Sequence, residues 1–306
     1  MLVYSVRRLL QAIPVLLGVA VVTFVLMNVV PGDPVVEMLG KRADPAVVEK
    51  VREQLGLNDP LHVQFFRFLV NAVRGDLGNS YRFQRPVTRL IMDAFPVTVR
   101  VALSAMLVGL AIGLSVGILS AVKQYSALDH GGMILALSFI SAPIFWVALV
   151  AQYVFGLRLG ILPISGFATW RELVLPALVL GSRYAASIAR LTRSSLLEVI
   201  RQDYVRTARA KGLGERVVIF KHALKNALIP VVTVVGLQIG GLLTGSILTE
   251  SIFGIPGLGR LAVNAIWNRD FPLLQGTVLF TALVYVLSNL AVDLSYAYLD
   301  PRIRLR

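Results

Sequence analysis

The chain has 306 residues, 56% of them apolar, and a mean hydropathy of +0.74. So much apolar sequence excludes an ordinary soluble domain and points to an integral membrane protein. The absence of cysteine excludes disulfides and thiolate metal sites, and the net charge of +13 leaves two readings: nucleic-acid binding, or orientation of membrane loops.

About 20 apolar residues are needed to cross the hydrocarbon of a bilayer. Residues 9–30, 101–122, 131–157, 227–249 and 271–292 meet that need without a charged side chain. Residues 173–188 form a shorter stretch carrying Arg183. Six transmembrane helices are therefore expected, and the lack of period-2 alternation argues against a β-barrel. The first stretch follows Arg7-Arg8 but is too long for a signal peptide and has no small-residue cleavage site, so it reads as a retained anchor.

Orientation follows the Lys and Arg residues of the short loops. One side would carry Arg7, Arg8, Lys123, nine basic residues within 190–225, and Arg302, Arg304 and Arg306. That side should be cytoplasmic, with both termini on it. The other side has Arg158, Arg171, Arg260 and Arg269, plus the long 31–100 segment, in which ten basic residues face eight acidic ones. The charge excess thus serves topology, and no nucleic-acid partner is expected.

Residues 31–100 are too long for a turn and predict a small outer subdomain of short helices. Asp44-Pro45 reads as an N-cap followed by proline at the first helical position. Val47, Val48, Val51 and Leu55 follow at helical spacing, with Gly56 as a stop. Residues 61–73 give a second stripe through Phe65, Phe66, Leu69 and Val73. Such a cap either packs on the bundle or offers a docking surface or gate.

Several chemistries lack their parts. There is no phosphate-binding Gly-x4-Gly-Lys-Ser/Thr loop and no Gly-x-Ser-x-Gly elbow, and His62, His130 and His222 have no metal-ligand spacing. The chain is expected to be a non-catalytic membrane subunit that binds no metal or cofactor itself. A stand-alone secondary carrier or channel is the alternative. Carriers place ionisable groups at mid-membrane, however, and here Arg183 is the clear case, with Glu250 and Asp293 at span edges.

Residues 190–226 form a basic island between two apolar spans. Residues 194–211 read as one helix with Leu196, Leu197, Ile200, Tyr204 and Val205 on its apolar stripe. Ala208 and Ala210 are small enough for close approach by a partner. Gly212 and Gly214 break the helix, and residues 215–226 form a second one. Arg206, Arg209 and Lys211 decorate this knob and could pair with carboxylates. Two readings stay open: a knob docked on a soluble motor, or a basic hairpin on anionic lipid.

Motifs along nearly the whole chain carry a family likeness. They are Pro31-Gly-Asp-Pro34, Gly75-Asp-Leu-Gly-Asn-Ser80, Ser141-Ala-Pro-Ile-Phe-Trp146, Arg190-Leu-Thr-Arg-Ser-Ser195, Thr207-Ala-Arg-Ala-Lys-Gly212, Glu250-Ser-Ile-Phe-Gly-Ile-Pro-Gly-Leu-Gly259 and Asp300-Pro-Arg-Ile-Arg304. In this order the chain resembles a permease of peptide-type ABC importers, the dipeptide/oligopeptide/nickel branch. The resemblance implies an all-α, six-helix, type I importer permease in the bacterial inner membrane. It also implies a second homologous permease, two ATPase subunits that hold ATP and magnesium, and an extracytoplasmic solute-binding protein. The cargo implied is a di- or oligopeptide. The coupling element implied is Arg206, Thr207, Ala208, Arg209, Ala210, Lys211 and Gly212. Arg206-Thr-Ala208 occupies the place of the general permease Glu-Ala-Ala triplet, and Lys225 stands where a proline is usual.

The domains expected are 1–30 (tail and first span), 31–100 (outer subdomain), 101–293 (core with loop 190–226) and 294–306 (tail). Candidate pathway residues are Arg183, Gln238, Thr244, Ser246 and Ser141, with Ser138 and Gln152 beside them. Gly236-x3-Gly240 and Gly241-x3-Gly245 suggest close helix packing.

Overall fold

The computed structural model describes residues 2–29, 34–39, 43–54 and 56–299. These residues are overwhelmingly helical, with an isolated bridge between Asn79 and Pro86. The motif at residues 31–33, Gly40 to Arg42, Leu55 and residues 300–306 lie outside the described residues. Among the described residues five helices are long and apolar enough to cross a membrane, and six spans result if the bent pair counts as one. The chain divides into two compact units, Met1–Thr98 with Thr244–Ile247 and Pro256–Leu287, and Val99–Leu243 with Leu248–Ile255 and Ser288–Arg306.

The first unit begins with α1 (Leu2–Val29), α2 (Pro34–Leu39), α3 (Pro45–Gln54) and α4 (Leu61–Val73). Asp44 caps α3 through its side chain, which accepts from Ala46 N–H at 2.9 Å. Gly56 at φ +65° ends the helix, and Leu57 N–H reaches back to the Arg52 carbonyl. The apolar stripe of α4 stays largely uncovered within the chain: Phe66 and Val73 are exposed, while Phe65 packs against Phe24 of α1 with ring centroids 5.2 Å apart and planes tilted by 60°.

Helix α5 (Val87–Val122) starts fourteen residues before the expected apolar span, passing through Arg89, Asp93 and Arg100. The reason is local amphipathicity. Val87, Leu90, Ile91 and Ala94 share one face and are buried against Leu258 and Ala265 of α13 (Leu258–Trp267) and Leu273 of α14 (Phe271–Leu299). A buried carboxylate closes this unit. Asp270 accepts from Ser80 Oγ (2.5 Å), Tyr81 N–H (3.1 Å), Arg82 N–H (3.1 Å) and, as cap of α14, Leu273 N–H (3.3 Å). Burial, and then the Asp270 charge, push the Tyr81 phenol up to about 12. Nearby, buried Thr98 Oγ1 accepts from Leu258 N–H at 2.8 Å.

In the second unit the expected third span, 131–157, is not continuous. It is α6 (Ala127–Ser141) and α7 (Ile144–Ala151), bent by 105°, with a π-helical stretch Gln152–Arg158 completing the pair. Pro143 has no N–H and disfavours helical backbone before it, and Ala142 is extended at ψ 133°. Helix α8 (Trp170–Ile200) is 31 residues long, roughly 46 Å at 1.5 Å per residue. It outruns the expected 173–188 because a Thr169/Glu172 capping box starts it early and its far end continues into the basic loop.

Helices α5 and α8 meet through glycine. A Cβ on Gly113 would lie 2.7 Å from the Ala185 carbonyl oxygen, and one on Gly117 2.7 Å from that of Ala189. One on Gly181 would lie 2.6 Å from the Ala105 oxygen. These spacings of four bring the backbones together. Among the sequence-noted glycines, Gly236 and Gly240 of α11 (Leu224–Leu243) face Val292 and Ser288 of α14. Gly245 serves a turn that presses on another backbone and not a contact along α11: a Cβ there would lie 2.7 Å from Gly259 N. Its φ is +101°, it lies past the end of α11, and it starts the turn to α12 (Ile247–Ile252), so the expected helix to 249 stops at Leu243. The expected tail from 294 is helical to Leu299 as part of α14.

Two substitutions test these anchors. Asp270→Ala should cost about 3 kcal/mol, since it strands several buried donors, and should lower the unfolding midpoint of detergent-solubilised protein; Asp93→Ala, in an exposed pair with Arg85, should not. Gly113→Leu should cost roughly 1–3 kcal/mol through overpacking, read as lost folded yield on size-exclusion chromatography.

Candidate functional site: a basic knob on the inner loop

The expected single helix over 194–211 is two helices. α8 ends at Ile200, Arg201 and Gln202 turn, and α9 runs Asp203–Ala210. Gln202 is extended (ψ 149°), and Val205 and Arg206 N–H both return to its carbonyl. The Lys211–Gly212 turn follows, with Gly212 at φ +78° and Gly212 N–H on the Arg209 carbonyl at 2.9 Å. α10 (Glu215–Val217) then passes through a π-helical stretch Val218–Ala223 into α11, so the second half of the knob is continuous with the fifth span.

A small core seats the knob. Leu196, Val205, Ala208, Val218, Ile219 and Ala223 are buried together, and Ala121 at the end of α5 joins them. Ala208 is thus turned inward; its small size admits the returning helix and is not available to a partner. Arg209 grips Glu215 with two hydrogen bonds, 3.1 and 2.6 Å, closing the glycine turn. The hydrogen bond to Glu215 holds the Arg209 guanidinium above its ordinary pKa. Asn226 donates to Tyr204 Oη at 2.8 Å, pinning α9 to the start of α11.

The exposed face mixes cations with apolar groups. Arg206 has a 75% exposed side chain, and Ala210, Lys211 and Gly212 are exposed with it. Tyr204, Leu213, Val217 and Phe220 are exposed as well. Thr207 is exposed and its hydroxyl donates to the Asp203 carbonyl. Such a face can make both apolar and charge-complementary contacts with a protein surface.

Arg183 is exposed on the face of α8 opposite Gly181 and Ala185. Gln238 is half-buried in α11, and its Oε1 is buried without a hydrogen-bond partner. Thr244 and Ser246 stand at the α11–α12 break, in the first unit. Ser141 is exposed at the end of α6, just before the bend, and the Ser138 hydroxyl donates to the Ile134 carbonyl. Gln152 donates to the carbonyls of Ile164 (2.7 Å) and Ile252 (3.2 Å), acting as a brace. A cavity of about 550 Å³ between α5, α6, α7 and α8 is almost wholly apolar; Ser138 lines it, while Arg183, Ser141, Gln152 and Gln238 do not. Sequence reasoning gave no role to Asp129 or Asp270 and took Arg193 only as part of the Arg190-Leu-Thr-Arg-Ser-Ser195 motif; for Asp129 the signal was Ser126-x-x-Asp129, a helix-capping pattern.

Residues 113–305 match the family described as the binding-protein-dependent transport system inner membrane component, and residues 1–102 match its N-terminal region. This chain belongs to that family. It is 46% identical to the dipeptide transport system permease protein DppB of Alkalihalophilus pseudofirmus, over 99% of this chain and 100% of that one. It is also 46% identical to the glutathione transport system permease protein GsiC of Pectobacterium atrosepticum, over 99% of each chain. Among solved structures, an inward-facing MetNI methionine ABC transporter aligns with TM-score 0.58 at 20% identity, over 69% of this chain and 96% of that one. An amino acid ABC transporter aligns with TM-score 0.53 at 15% identity, over 71% and 95%. The permease is a multi-pass inner-membrane protein with the type I importer fold.

Arg183→Ala is expected to change solute uptake while leaving the permease in its assembled complex. Uptake assays and co-purification from the same membranes check this; loss of the complex would make Arg183 a structural residue.

Proposed function

We propose that this permease forms a translocation pathway with a second homologous permease and couples it, through Arg206 to Gly212, to two ATPase subunits. Membership in the family makes it a subunit of a binding-protein-dependent transport system. The relatives are named for dipeptide and glutathione transport, and di- or oligopeptides are the cargo class this reading assigns. ATP and magnesium belong to the ATPases. This chain contributes no catalytic group, and an extracytoplasmic solute-binding protein delivers the cargo.

The observation that carries the reading is the knob. It is rigid inside, because buried Val205 and Ala208 lock α9 onto the returning helix. It is exposed and basic outside, it is joined to α8 by the two-residue turn Arg201–Gln202, and its second half runs into α11. Displacement of α9 by a motor must therefore move two spans with it. A hairpin lying passively on lipid has no need of such a seat.

Gly212→Arg forces a side chain onto a left-handed backbone position with no room problem around it, so its effect falls on the turn and the docking face. In a pull-down of tagged permease from detergent, the wild type should retain the ATPase and Gly212→Arg should lose most of it. Absence of ATPase from both would return the knob to a membrane-surface hairpin.

A further inference from the structure

Helix α6 is fastened to α8 by a two-point ion pair. Arg193 Nε donates to Asp129 Oδ1 at 2.7 Å, and Arg193 Nη2 to Asp129 Oδ2 at 2.7 Å. The Asp129 side chain is 3% exposed and that of Arg193 is 26% exposed. Asp129 also accepts from Tyr125 N–H at 3.0 Å, and Tyr125 holds a left-handed backbone at φ +63°. Ser126 Oγ caps the same helix by accepting from Asp129 N–H. One carboxylate thus fixes the start of α6, the strained turn before it, and α8. Paired geometry of this kind sets orientation as well as affinity.

The position of the pair suggests more than fastening. Arg193 lies three residues before Leu196, which is part of the buried seat of the knob. Beyond Asp129, α6 runs to the bend at Ala142-Pro143, and α7 runs on to Gln152, whose amide braces the carbonyls of Ile164 and Ile252. Behind the bend lies the apolar cavity of about 550 Å³, with Leu135, Phe139, Trp146 and Val150 on one wall. Both arms of the bend pack on α8, so movement of α8 reaches the span on each side of the bend.

We propose that Asp129 and Arg193 are positioning residues that carry displacement of the knob into the bent α6–α7 span, and so couple ATP hydrolysis to opening of the pathway. This rests on the proposed coupling to ATPases. Neither residue touches cargo or nucleotide; the pair makes α6 follow α8.

The test uses the complete importer in proteoliposomes, with a tryptic casein digest as cargo and its solute-binding protein added. ATP hydrolysis is measured with and without the binding protein. Asp129→Asn and Arg193→Gln should each assemble and keep basal hydrolysis, while stimulation by the binding protein falls at least fivefold. The charge swap Asp129→Arg with Arg193→Asp should restore at least half of it. Stimulation within twofold of wild type in the single variants overturns the proposal. So does failure of both single variants to assemble, or a loss that the swap does not relieve, since the pair would then be a staple of the fold. Absence of stimulated hydrolysis in the wild type would instead sink the coupling function itself.

Discussion

Along α5 and α8 two backbones come so close that no side chain fits between them. The glycines at 109, 113 and 117 face Gly181, Ala185 and Ala189 at the spacing of one helical turn. In lipid no hydrophobic force draws apolar helices together, so packing of this kind supplies the association. Its consequence is mechanical. Helix α8 is held along its length, and its last turns carry the knob, so a push on α9 is delivered to a braced rod.

Within each unit a buried carboxylate then fixes the chain at defined atoms. In the second unit the buried Asp129 holds Arg193 and the turn at Tyr125. In the first, Asp270 gathers Ser80, Tyr81 and Arg82 and caps α14. Both carboxylates are satisfied several times over, which is what makes a buried charge tolerable. Their roles differ. Asp270 closes a short loop onto a helix start within one compact unit, whereas Asp129 sits between the knob and a span that is already bent.

Much of this fold is legible in the sequence. Uncharged stretches mark five of the spans, and Asp44-Pro45 marks a cap that forms as written. Helix α4 runs over the residues its stripe defines. Other features need the third dimension. Hydropathy places the start of α5 at 101, because Arg89 and Asp93 hide an amphipathic face whose partner lies some 170 residues later. A proline at 143 is visible, but whether it kinks or breaks a helix depends on what the chain does afterwards. The inner loop's polarity is plain from its charges, yet the inward turn of Ala208 is not, since it depends on the return of Val218 and Ala223. Asp129 and Arg193 are 64 residues apart, and no local pattern joins them.

The chain contains no cysteine, so a single introduced thiol reports one position. The most direct measurement is site-specific crosslinking in native membranes from Ala210→Cys, on the exposed face of α9, with Trp267→Cys on α13 as control. Ala210→Cys should crosslink to an ATPase subunit, with a yield that changes when ATP is trapped, and Trp267→Cys should not. A knob thiol that forms no ATPase adduct in any nucleotide state, in membranes where the importer is active, would contradict coupling through the knob.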